Sequence, residues 1–199
     1  MLLTLLSLCA CGTTASHERT TELATQFATI SGSLTTLKQH VNASMQGIST
    51  LTANSGGDAV GAYDMIKTAA AEIGPGIDAI KNDLTTADKY GSEHFDSWSR
   101  QNATIQNAEL RARASERQNE LSALMHTTSA SVTKAVAMGQ GFQQSLQDLR
   151  NYLSSDLSPT AIGNAADLIA RIGGEAGRFS AGLDSAQKDA THMANKLGG

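Results

Sequence analysis

Five histidines and two cysteines are the residues of this chain with the most distinctive chemistry. His17, His40, His94, His126 and His192 nowhere fall at His-x-x-x-His, the spacing that puts two imidazoles on one helix face for zinc. His94 has Glu93 and Asp96 beside it. Adjacent positions on a helix face apart, so His94 is expected to be a helix-surface histidine. Glu-x-x-His, the motif of di-iron four-helix bundles, does not occur. Neither a phosphate-binding Gly-rich loop, nor a nucleophile elbow, nor a dinucleotide fingerprint is found. No catalytic, cofactor-binding or metal-ligating residue is therefore assigned, and the chain is expected not to be an enzyme.

The cysteines tell more. Residues 1–11, MLLTLLSLCAC, are apolar apart from Thr4 and Ser7. A bilayer-spanning helix needs about 20 apolar residues, whereas a signal-peptide core takes about 7–15. The run ends in Leu8-Cys9-Ala10-Cys11, which resembles the bacterial lipobox: leucine three positions before a cysteine and a small residue just before it. Cys11 is then the expected lipidation site and mature N-terminus. Cys9 fits worse, because Leu8 stands where a small residue is wanted. No Lys or Arg precedes the run; a start further upstream would supply one. Gly12 follows the cysteine where an aspartate would mark inner-membrane retention in lipoproteins of this kind. The expectation is a periplasmic protein held at the outer membrane by its acyl chains, more than one being needed for stable anchoring. Residues 12–199 contain no cysteine, which excludes disulfides and thiol chemistry from the body of the protein.

Thr13 to Glu18 is polar, giving a division into a leader at 1–11, a tether at 12–18 and one helical domain at 19–199. Aromatic residues make up only 4% of the chain and there are two prolines. Few large aromatics mean a thin core, and few prolines argue against loop-rich β folds. The apolar residues recur by threes and fours in four segments. The first runs Leu23, Phe27, Ile30, Leu34, Leu37, Val41, Ser44, Ile48, Leu51. The second runs from Tyr63 and Ile66 through Ile73, Ile77, Ile80 and Leu84 to His94, Trp98 and Ile105, and keeps phase across Pro75, where a kink is expected. The third runs from Leu110, Ala114, Arg117 and Leu121 through Val132 and Phe142 to Leu153. The fourth runs from Ile162 through Phe179 to Leu197. Short breaks at 53–58 and 154–160 imply antiparallel neighbours. The fold is expected to be all-α, an elongated antiparallel coiled-coil-like bundle of about four long helices, roughly 70 Å long.

Three features speak to partners. The net charge is −4 with the 15 basic residues scattered, so nucleic acid is not an expected partner. Glu109-Leu-Arg-Ala-Arg-Ala-Ser-Glu-Arg117 reads as a solvated helix face. Tyr90, Phe95 and Trp98 form the only aromatic cluster, read either as a plug closing one end of the bundle or as a partner-docking spot. Gly173 and Gly177 suggest close helix packing. The membrane, through the lipid anchor, and a protein partner or a second copy, through the helical seams, are the expected partners. The alternative is a bundle that opens and lays an amphipathic helix on a membrane surface.

The stretch HFDSWSRQNATIQNAELRARASERQNELSAL at 94–124 resembles an uncharacterised family of bacterial envelope proteins, domain of unknown function 2959. SGGDAVGAYDMI at 55–66 is similar to that family's Gly-Gly-Asp break, and FQQSLQDLRNYLSSDLSPTAIGNAADLIARI at 142–172 is similar to its long helix, turn and last helix. The resemblance spans roughly residues 20–190 and implies an all-α, coiled-coil-like envelope protein with no catalytic residues.

Overall fold

A computed structural model describes residues 11–53 and 58–198, with side chains from Glu18 onward. Four long helices and one short helix make up the described chain: α1 (Cys11–Ala53), α2 (Ala59–Ala103), α3 (Ala108–Leu153), α4 (Pro159–Asn164) and α5 (Ala166–Gly198). Among the described residues there is no strand. Each break carries its own stop and start chemistry. Asp58 accepts a hydrogen bond from the Gly61 amide at 2.7 Å, and Asn107 accepts one from the Leu110 amide at 3.0 Å. Ser158 caps α4 through the Ala161 amide at 3.2 Å, with Pro159 in the first turn, where its missing amide hydrogen costs nothing. Such caps contribute about 1 kcal/mol each.

The long helices run alternately up and down, in the spatial order α1, α2, α3, α5, so that each packs along two neighbours. All nine seam positions of α1 are buried, as are Ile172, Ala176, Phe179, Leu183, Ala186, Ala190, Met193 and Leu197 of α5. Phe142 and Phe179 meet in the middle of the rod with ring centroids 5.9 Å apart. Elsewhere the core is thin: alanines at 62, 69, 87, 135, 176, 186 and 190 are buried. Small residues bring backbones together. A Cβ on Gly47 of α1 would lie 3.0 Å from the Ala62 carbonyl oxygen of α2. Two polar seam residues are satisfied locally, the Ser44 hydroxyl donating to the Val41 carbonyl at 2.7 Å and that of Thr128 to the Leu124 carbonyl at 2.9 Å.

α2 passes through Pro75 as one helix, with Pro75 on the exposed face while Ile73 and Ile77 remain in the core. Residues 12–18, read from the sequence as a tether, have helical backbone continuous with α1; extending a formed helix is far easier than nucleating one. Two expectations are revised. The fourth segment divides at Ala165 into α4 and α5, so Pro159 starts a separate turn. Gly177 is exposed with open space at its Cβ position, and the close approaches occur at Gly47, Gly91 and Gly139 instead. The leader reading at 1–11 falls outside the described residues, except for the backbone of Cys11.

Candidate interaction site at the three-helix end

The aromatic cluster sits where the bundle thins. Ser31 of α1 and Thr191 of α5 hydrogen-bond at 2.8 Å, fixing the relative level of the two helices. From there α1 continues to Cys11, while α5 is described only to Gly198. At 1.5 Å per residue α1 reaches about 20 Å further. The α2–α3 hairpin accompanies it: Leu23 lies beside Gly91, and Gln118 of α3 donates to the Phe95 carbonyl of α2 at 2.9 Å. The start of α1, the end of α2 and the start of α3 therefore share one end of the rod, among the described residues a layer of three helices.

Phe95 and Trp98 stack there with centroids 6.3 Å apart, both half-buried. Tyr90, also half-buried, packs against the core about a turn further in and makes no ring contact with them among the described residues. Asn102 is buried and donates to the Gln118 side chain at 2.9 Å, so one amide chain links the last turn of α2 to α3.

His94 is the residue that sequence reasoning misplaced. It is not on the surface: only 3% of it is exposed, and its ring lies 5.2 Å from Phe95 and 5.6 Å from Trp98. Its Nε2 is buried and has no hydrogen-bond partner among the described residues. Burial, and then the positive charge of Arg19 on α1, hold its pKa below the ordinary histidine value. The signal was present in the spacing, since Gly91, His94 and Trp98 continue the seam of α2 by a three and a four.

The α2–α3 end is polar outside and apolar at one point. Leu110, in the first turn of α3, is 59% exposed. Ala114 is half-buried and Arg117 exposed, so among the described residues the start of the α3 seam has no covering helix. An open groove of about 470 Å³ follows, between α2 and α3, floored by Gly91, Phe95 and Met125 and edged by Asp88, Asp96 and His126. Among the described residues no three His, Cys, Asp or Glu side chains gather as a metal site. No described helix is long and apolar enough to cross a membrane.

No family model, curated protein or solved structure matches this chain.

Proposed function

We propose that the protein is a lipid-anchored helical scaffold or interaction protein of the bacterial cell envelope, held in the periplasm at the outer membrane. The observation that carries this reading is the Leu8-Cys9-Ala10-Cys11 lipobox at the point where α1 begins. An anchor at Cys11 would pass into the bundle through unbroken helix, holding the rod upright and projecting its far end about 60–70 Å from the membrane. The uniform four-helix middle, filled by alanine, isoleucine and leucine, supports a spacing role. The half-buried Phe95–Trp98 pair and Tyr90 are the residues assigned to partner docking.

The deciding experiment expresses the native gene with its upstream region beside a Cys11→Ser version. Membrane fractionation and intact mass are then compared. An acylated, membrane-bound native form with a soluble, unmodified Cys11→Ser form is the expected result. Two soluble, unmodified proteins would overturn the anchor reading.

A further inference from the structure

The two ends of the rod differ in charge. In the last two turns of the three-helix end, the charged side chains described are Arg100, Arg111 and Arg113, against the single acid Glu109. All four are exposed. Glu109 already pairs with Arg113 at 2.6 Å, along the helix at i, i+4. The Arg111 guanidinium donates to the Ile105 carbonyl at 3.2 Å, which fixes it beside the 104–107 turn. Arg100 makes no ion pair among the described residues. One turn further in the sign reverses, Arg117 and Arg19 standing against Glu116, Glu18, Glu93 and Asp96, so the basic excess is confined to the tip. The opposite end is acidic: Asp58, Asp64, Asp148, Asp156 and Asp167 stand there against Arg150 and Arg171. Leu110, exposed in the middle of the arginines, is the one exposed large apolar side chain at the basic end among the described residues.

We infer that this end, the 104–107 turn with Arg100, Arg111, Arg113 and Leu110, rests directly on an anionic phospholipid surface. The inference rests on the anchor reading for its orientation: α1 begins at Cys11 on the same end, so an acyl chain there puts lipid headgroups against this turn. The chemistry fits independently. Guanidinium groups fork onto phosphate oxygens, and a lone leucine adds shallow insertion without opening the bundle. Only charges within about 8–10 Å of the headgroups act through physiological salt, so the local arginine excess decides, not the net charge of the chain. The acidic far end would be repelled, which orients the rod away from the membrane.

The test uses the full chain carrying Cys11→Ser, so that no acyl group contributes. It is mixed with phosphatidylcholine vesicles, with and without phosphatidylglycerol, made with brominated acyl chains. Trp98 is the only tryptophan and lies within two turns of the tip, so its quenching reads tip contact. Quenching is expected on the phosphatidylglycerol vesicles, weakening as salt rises. Each arginine at such a surface is worth roughly a factor of five, so Arg100→Gln/Arg113→Gln should weaken binding roughly thirty-fold. Arg150→Gln/Arg171→Gln at the far end should leave it unchanged. The apolar residues 1–10 are common to every arm and drop out of these differences. Equal quenching on neutral vesicles, none on either, or an unaltered double variant would overturn the inference. An unmodified Cys11 in cells together with arginine-dependent vesicle binding would sink the anchor reading alone; an acylated Cys11 without arginine-dependent binding would sink this inference alone.

Discussion

Phe179 of α5 packs against the backbone of Gly139 of α3. A Cβ built on Gly139 would lie 2.6 Å from the Phe179 ring and 2.8 Å from the Ile77 side chain. The ring also packs against Phe142, with centroids 5.9 Å apart, and is fully buried. Gly139→Ala gains helix propensity of about 1 kcal/mol but overfills a closed layer, at about 1–3 kcal/mol. A net loss of up to about 2 kcal/mol is expected in urea unfolding. Gly141, two residues on, has nothing within 4 Å of its Cβ position. Gly141→Ala should stabilise by about 1 kcal/mol, giving opposite signs for the same substitution in one helix.

The contrast between α1 and the start of α3 shows what the sequence could tell. The spacing from Leu23 to Leu51 marks a face, and all nine of its residues are buried because α2 and α5 lie alongside nearly all of that stretch. Leu110, Ala114 and Arg117 continue an equally regular pattern, yet Leu110 and Arg117 are exposed and Ala114 is only half-buried. Periodicity states which face a neighbour would cover, not how far that neighbour extends. His94 went astray for the opposite reason. Its residue type and the flanking Glu93 and Asp96 suggested surface, whereas its seam position put it inside. The Phe95–Trp98 pair was legible in the sequence; its convergence with the start of α1 and the arginines depends on helix register, which no single segment contains.

Pro75 is the clearest local defect in the bundle. Inside α2 it removes the amide that would donate to the Ala71 carbonyl, a cost of about 3 kcal/mol in a regular helix interior. Its own side chain is exposed and buries nothing that the core needs. Pro75→Ala should therefore stabilise the protein by about 1–3 kcal/mol. Thermal unfolding followed by circular dichroism measures it, and a lower midpoint would mean that the proline fits a bend on which the packing depends.

The ion pair of Lys38 on α1 with Asp184 on α5 is the one salt bridge between helices among the described residues. Both partners keep solvent access, with side chains 33% and 53% exposed. Exposed pairs contribute about 0–1 kcal/mol. Lys38→Met should change stability by less than about 1 kcal/mol, and the difference from the parent should vanish in high salt. A salt-independent loss of several times that size would show that the lysine stem, packed between helices, matters more than its charge.

His94 makes the bundle sensitive to mild acid. Burial and Arg19 lower its pKa in the folded protein, while in the unfolded chain it titrates near the ordinary value of 6.5. Above that pH both states carry neutral imidazole and its titration makes no difference to stability. As pH falls below it, the unfolded chain takes up a proton that the folded one refuses, and stability drops until the lowered folded pKa is passed. The midpoint of urea unfolding should therefore fall between about pH 7 and pH 5, above the range in which ordinary carboxylates titrate. His94→Gln, which keeps a polar side chain of similar reach but cannot take the proton, should flatten the profile over that interval. An equally steep profile in His94→Gln would place the acid sensitivity elsewhere in the molecule.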